Sequence, residues 1–405
     1  MPTIITGSSR ADDVLQSGLV LDMEAETAWL DDDTYLFEYL LRKLGQGEGG
    51  SGMAANGTLI AKRMKHEFRE RRLEPNNVST TSATAAAATT IAVTNPEYFH
   101  TDQVIHCPAT EEVFLMNEVT GGTGTAGSIT VVNKAGSGGI TTAIPSGSIL
   151  LNLGEAHAEG EAIPAAWMVK ETDLDTYLYQ FDRTNQITDI LDAEENYGVN
   201  EIVKQRKQFW IEQKRALNLM LYLGQNTREI VSAGGPRRHI MRGLIEWLDN
   251  SAIDASTITG GLTMGTLGVL MRPTKNHTSS SQTKLGILGQ NAWTSVSNFP
   301  EGTVRVKPGK MQEWGVTLKQ LNTSFGDLLV GTDPTLTAEN ALAGEMFILD
   351  PKHIRQLEMQ KLPLRLKLNT GDNTDIHNIT DVMTGTRGLI VKLEEDHRRI
   401  YGVTQ

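Results

Sequence analysis

A single cysteine, Cys107, serves the whole chain of 405 residues, so an intrachain disulfide is impossible. A zinc or redox site built from several cysteines is excluded with it. Long apolar runs are missing as well. None reaches the roughly eighteen residues that a membrane span needs, and no transmembrane helix is expected. The opening MPTIITGSSRADDVLQSG has no charged stretch followed by an apolar one, so no secretory signal is expected either. Positive charge is scarce: 37 Lys and Arg stand against 49 Asp and Glu, a net charge of −12. Such a chain is repelled on average by a polyanion, which argues against a dedicated nucleic-acid binder. No internal repeat of fixed period appears, which excludes a solenoid.

The scarcity of positive charge is uneven. From Leu73 to Val169, Lys134 is the only Lys or Arg. In that window the short runs TTIAVT, QVIHC, EVFLMNEVT, SITVV and SILLNL alternate with the turn-forming NPEYF, GGTGTAG, GSGG and PSG. The pattern predicts a small all-β module over residues 80–153, large enough to hold a core of its own. Immediately before it lies the densest block of positive charge, AKRMKHEFRERR from Ala61 to Arg72. Ile60, Met64 and Phe68 recur every four residues, as on a helix. Met64, His66 and Phe68 also alternate with Lys65, Glu67 and Arg69, as on a strand, and the local pattern leaves both open. After the module, Trp167 to Phe181 reads as a charged strand. Asp173, Asp175, Tyr177, Tyr179 and Phe181 fall on one side, with Leu174, Thr176 and Leu178 on the other. A module flanked by two charged strands is what a domain inserted into the tip of a β-hairpin looks like.

Residues 1–30 are weakly patterned and read as an extended arm that orders against a partner. Asp31, Asp32 and Asp33 are placed to cap a short helix carrying Tyr35, Phe37, Leu40 and Leu41 and ending at Gly45. The following GQGEGGSGMAANG has the composition of a hinge. The clearest helix runs over residues 198–223, with Val199, Ile202, Val203, Phe209, Trp210, Leu217, Met220 and Leu221 close to a 3.6-residue stripe. It would be ~40 Å long, and Gly224 is a good stop. Near the end, Thr386 to Val403 reads as a two-stranded hairpin: RGLIVKLE, a turn at EDHR, then RIYGV.

No strong catalytic constellation is present. GxxxxGK[ST], HExxH and GxSxG are absent, and KPGKM at Lys307 to Met311 lacks the phosphate-loop spacing. Glu155, His157 and Glu159 place metal-ligand types two apart, but an exposed acidic loop is the favoured reading because that segment has no second histidine. Asp372 and Asp375 lack the spacing and the terminal glutamate of a calcium loop and read as a polar turn. Asp396 and His397, followed by Arg398 and Arg399, read as a hairpin turn with solvated charge. No catalytic, cofactor or metal residue is assigned. The Ala61 block is interrupted by Glu67 and Glu70 and carries one aromatic, so a charged, partner-facing strand is preferred to a DNA site.

The order of these parts resembles the major capsid protein of tailed bacteriophages, with the Hong Kong 97-like (HK97-like) fold. Within it, the chain is similar to the branch whose extended hairpin is interrupted by a small β-domain. The resemblance is carried by TTIAVTNPEYFHTDQVIHCPATEEVFLMNEV, FDRTNQITDIL, RKQFWIEQKRALNLMLYLGQ, RRHIMRGLIEWL, LNTSFGDLLVG, MFILDPKHI and TGDNTDIHNITDVMTGTRGLIVKLEEDHRRIYGV, in that order over most of the chain. One departure is the strand entering the hairpin, often acidic and aromatic in the family and basic here.

The resemblance implies an α+β fold. It divides into an arm, short helix and hinge over 1–55, an extended hairpin (E-loop) over 56–79 and 154–184, and an inserted β-domain over 80–153. A peripheral (P) domain with the spine helix would take 185–255 and 386–405, and an axial (A) domain 256–385. It implies a structural protein that assembles with itself into hexamers and pentamers of an icosahedral head, without cofactors and without a membrane. Double-stranded DNA would lie inside with no sequence-specific binding. Portal, scaffold and decoration proteins are the expected partners, the virion the expected location, and the host cytoplasm the place of assembly. Lys62, Arg63, Lys65, Arg69, Arg71 and Arg72 are expected to face acidic surfaces of neighbouring subunits such as Asp31, Asp32 and Asp33, a charge match that fixes register more than affinity. The nearly Lys- and Arg-free module is expected on the outer surface or between capsomers. The competing readings are an encapsulin-like cargo shell and a soluble hydrolase with an unrecognised site.

Overall fold

A computed structural model describes residues 35–46, 58–73, 75–121, 126–133, 138–157, 159–160, 169–188, 201–225, 238–250, 253–277, 279–299, 304–305, 318–368 and 378–404. In chain order, helix α1 (Leu36–Gln46) is followed by strands β1 (Leu59–Ala61) and β2 (Lys65–Glu70). Six strands come next: β3 (Asn77–Ser79), β4 (Thr90–Val93), β5 (Gln103–Cys107), β6 (Glu112–Thr120), β7 (Gly127–Asn133) and β8 (Ile149–Glu155). Then follow β9 (Thr172–Tyr177), β10 (Tyr179–Thr188), α2 (Glu201–Leu223), α3 (Leu244–Trp247), β11 (Ala255–Gly260), α4 (Met264–Met271), β12 (Thr283–Leu288) and α5 (Gln290–Ser297). The chain closes with β13 (Val304–Arg305), β14 (Lys319–Thr323), β15 (Gly326–Thr332), β16 (Met346–Leu349), β17 (Ile354–Met359), β18 (Arg365–Lys367), β19 (Asn378–Val391) and β20 (Arg398–Val403).

These elements form two units, one of residues 1–68 and 174–405, the other of residues 69–173. The second unit holds one antiparallel sheet in the order β3-β8-β5-β6-β7-β4. Its strands alternate as the sequence pattern requires: Ile105, Cys107, Phe114, Met116, Ile129 and Val131 point into a core that Ile140, Ile144 and Phe99 complete. β3 and the end of β8 carry the sheet past the limits 80–153 read from the sequence.

The first unit holds a five-stranded and a seven-stranded sheet. One has the order β1-β17-β19-β10, with β18 also on β19. The other has the order β11-β20-β16-β12-β15-β14-β13, mixing parallel and antiparallel neighbours. Central strand β12 is buried from Lys284 to Leu288 because both of its faces are covered. Leu285 and Ile287 join the core beneath α1, α3 and the end of α2, while Leu288 packs with Leu267 and Met271 of α4 and Val296 of α5.

Helix α2 stops where a glycine is required. A Cβ on Gly224 would stand 2.4 Å from the Met241 carbonyl oxygen, so only glycine lets the chain from Met241 to Gly243 approach the helix end. The Gly243 amide donates to the Gly224 carbonyl at 2.8 Å.

Three sequence readings change. The ambiguous basic block is a strand, β2, with Phe68 and Glu70 buried and Lys65, Glu67 and Arg69 exposed. The terminal segment is not a hairpin: β19 pairs with β10 and β17, whereas β20 crosses to the other sheet, between β11 and β16. The expected strand through Phe181 is likewise two strands, broken at Leu178, whose amide donates to the Met64 carbonyl.

Candidate functional site

The basic strand β2 pairs with β9 in a two-stranded sheet, and the six-stranded sheet lies between them in sequence. Phe68, on the buried side of β2, sits 5.9 Å from the Trp247 ring and lies under the Lys392 ammonium at 5.7 Å. That contact anchors the strand and turns the alternate side chains outward. All six basic residues singled out by the sequence, Lys62, Arg63, Lys65, Arg69, Arg71 and Arg72, are exposed.

Three of them already have acidic partners within the chain. Lys65 meets Glu67 at 2.5 Å and Asp175 at 3.8 Å, Arg69 meets Asp173 at 2.8 Å and Glu171 at 3.8 Å, and Arg72 meets Glu70 at 3.6 Å. Glu67 first, then Asp175, raises the pKa of Lys65 above its ordinary value. Among the described residues, Lys62, Arg63 and Arg71 form no ion pair. Asp31, Asp32 and Asp33 lie outside the described residues, as do Asp372 and Asp375 and the KPGKM segment.

A second charged cluster was not foreseen. Lys284 and Asp350 are fully buried and 2.8 Å apart. The Asp350 carboxylate also accepts from the Ser281 amide at 2.7 Å, the Ser281 hydroxyl at 2.6 Å and the Lys352 amide at 3.0 Å. Burial alone would raise its pKa, but the bonds from Lys284 and Ser281 hold it well below the usual carboxylate range. Lys284 also donates to the Asp396 carbonyl at 2.8 Å.

The Asp350 amide donates to His397 Nδ1 at 3.1 Å, and the opposite ring nitrogen donates to the Lys392 carbonyl at 3.1 Å. His397 is therefore the neutral tautomer with its proton on Nε2. Burial, then the Lys284 charge, lowers its pKa to about 3. The reading of Asp396 and His397 as a solvated turn is overturned, since both are buried. Arg398 donates to the Ile253 carbonyl and Ser256 hydroxyl, and Arg399 makes a bidentate pair with Glu345 at 2.8 and 2.9 Å. The cause is the strand crossing: the connection from β19 to β20 runs across the buried ends of β12 and β16.

Asp350, His353 and Asp396 offer ligand atoms within 4.8 Å of one another. Positive charge is already supplied there by Lys284, and Lys275 is close enough to feel both aspartates. The Asp350 oxygens accept four hydrogen bonds there, which draws its carboxylate into a salt network with Lys284. His157 and Glu155 pair at 3.1 Å in an exposed position. A surface hollow of about 470 Å³ is lined by Leu36, Trp293, Asp333 and Pro334 among others. Its one carboxylate is committed to the fold, accepting from the Phe37 and Thr335 amides and from Asn218 of α2, each at 2.9 Å.

Exposed charge is thus concentrated on the strand pair β2–β9 among other places, and buried charge in the network around β12, β16 and the turn before β20. The SU10 major capsid protein family matches residues 40–404, and the chain belongs to that family. It is a structural protein of the virion capsid, not an enzyme, and it assembles with itself into shells. No curated protein matches the chain. Among solved structures, the chain is similar to the capsid of Myoviridae phage XM1, at 12% identity over 88% of this chain and 100% of that one, with a TM-score of 0.38. It is similar to the cyanophage A-1(L) capsid at 9% identity over 62% and 85%, with a TM-score of 0.44. It is similar to the SrpI encapsulin of Synechococcus elongatus at 13% identity over 57% and 76%, with a TM-score of 0.37. The assignment rests on the family match. The fold combines helix and sheet.

Proposed function

We propose that this capsid protein tiles an icosahedral phage head as hexamers and pentamers around double-stranded DNA, and that the strand pair β2–β9 is its contact with neighbouring subunits. The observation that carries the contact is that Lys62, Arg63 and Arg71 are exposed and form no ion pair among the described residues, on a chain with a net charge of −12. An exposed cation beside an acidic copy of the same chain gains more from that neighbour than from solvent, and the match sets register. Residues 56–79 and 154–184 act as the extended hairpin and 80–153 as the inserted β-domain, exposed on the outer surface or between capsomers. Residues 1–55 form the arm. Residues 185–255 with 386–405 form the peripheral domain, and 256–385 the axial domain. Portal and scaffold proteins, and decoration proteins where a head carries them, complete the particle in the host cytoplasm.

The test reverses only the unpaired charges, Lys62→Glu, Arg63→Glu and Arg71→Glu together, which leaves the pairs of Lys65, Arg69 and Arg72 in place. The expected result is loss of closed particles in negative-stain images, with an unchanged unfolding midpoint. Normal particle yield sinks the contact. Nucleic acid in particles purified from infected cells is expected, and protein cargo in its place contradicts the head assignment.

A further inference from the structure

The six-stranded sheet has two faces, and among the described residues only one is spent on the core. Ile105, Phe114, Met116 and Val131 point inward. The alternate residues form a second apolar surface that is only half-buried. Val104 lies opposite Leu115, and Leu115 opposite Val132, so the three make a row across β5, β6 and β7. Leu151 of β8 extends the surface opposite His106, and Ile149 and Leu153 of that strand are 54% and 61% exposed. A solvent-facing sheet surface ordinarily alternates to polar residues, so an apolar one calls for a cover.

Its border is acidic. Glu118 pairs with Thr130 beside the Leu115 row, and Asp102 immediately precedes β5. Between Leu73 and Val169 there are nine Asp and Glu and one Lys. Packing this face on its own copy would bring like charges together, which disfavours a two-fold contact. A head-to-tail contact needs a different, complementary surface on the same chain. That surface is present where β2 runs out: Arg71 and Arg72 are exposed, and Leu73 stands 90% exposed beside them. An apolar plug flanked by cations matches an apolar face bordered by carboxylates.

We infer that the outer face of the β5–β6–β7–β8 sheet receives the Arg71–Leu73 corner of a second copy of this chain. The inference rests on the hairpin contact proposed above and names the surface it meets. From strand spacings the face measures about 20 by 15 Å, roughly 300 Å². That is well under the ~800 Å² per partner of a standard stable interface. The contact is therefore one of several in a multi-copy shell, not the basis of a free dimer.

A charge swap in the full chain tests it. Glu118→Arg alone and Arg71→Glu alone are each expected to lower particle yield about tenfold, and the double variant to return it to within about threefold of wild type. Glu118 is exposed, so Glu118→Arg should keep the wild-type unfolding midpoint. A second arm places cysteines at Leu73 and Ile149 and treats assembled particles with a short bis-maleimide. Cys107 is buried and stays silent. A ladder of covalent oligomers in the double-cysteine variant, absent from either single variant, supports the inference. An unrescued double variant with no ladder overturns it. If the Lys62, Arg63 and Arg71 triple variant still fails to assemble in that case, the hairpin meets another surface. If the triple assembles normally, the hairpin reading falls as well.

Discussion

Lys65 and Lys284 each face an aspartate, and the two pairs do different work. Lys65 lies 3.8 Å from Asp175 with both side chains about two-fifths exposed. Lys284 lies 2.8 Å from Asp350 with neither exposed. In water the first pair is screened and contributes little to the stability of the subunit. In the interior the second pair cannot be broken without stranding a charge. The strand pair β2–β9 thus carries screened, exposed charge, which suits the contact proposed for it. The network joining β12, β16 and the turn before β20 carries charge that fixes the subunit itself.

The comparison breaks most clearly at Lys284. Lys284→Ala leaves the Asp350 carboxylate buried without its cation and is expected to destabilise the subunit by about 3–5 kcal/mol in denaturant unfolding. A change under about 1 kcal/mol, no more than an exposed pair contributes, would erase the distinction. Phe68→Ala is expected to cost about 3 kcal/mol by the same measurement, because it empties the site against Trp247 that anchors β2.

Two buried groups sharpen the comparison through pH. His397, with a pKa of about 3 against roughly 6.5 when unfolded, is protonated first in the unfolded chain. Its contribution is therefore complete above pH ~6.5 and is lost as pH falls towards 3. Asp254 runs the other way. Burial, then Glu394, raises its pKa to about 7, so its contribution is present below pH ~3.9 and is lost as pH rises through 7. Asp254→Asn is expected to stabilise the subunit by about 1–3 kcal/mol at pH 8 and by nothing measurable at pH 3.5. Equal effects at both pH values would contradict the burial of an ionised Asp254. The smallest effect on stability belongs to the exposed triple Lys62→Glu, Arg63→Glu and Arg71→Glu, within about 0.5 kcal/mol of wild type.

The two regions also differ in how far they can be read from sequence. The strands of the six-stranded sheet are legible because they alternate with period two and their turns carry Gly, Pro and Asn. Helix α2 is legible through its apolar stripe and Gly224. The basic block needed the structure, since Ile60, Met64 and Phe68 fit either period and only the packing of Phe68 on Trp247 decides. The separation of β19 from β20 is a choice among distant strands that no local pattern encodes. It also hides Asp396 and His397, which look solvated beside EDHRR and are buried once β20 enters the second sheet. One signal did exist: Lys284 is the lone charge in TKLGIL, an otherwise apolar strand, and such a residue demands a buried partner.

The most direct test is sedimentation velocity of the purified wild type and of the Lys62, Arg63 and Arg71 triple variant, beside their unfolding midpoints. The account expects megadalton shells for the wild type and unassembled subunits for the variant, with equal midpoints. A wild type that stays a small oligomer, or a triple variant that closes shells as readily as the wild type, would contradict it.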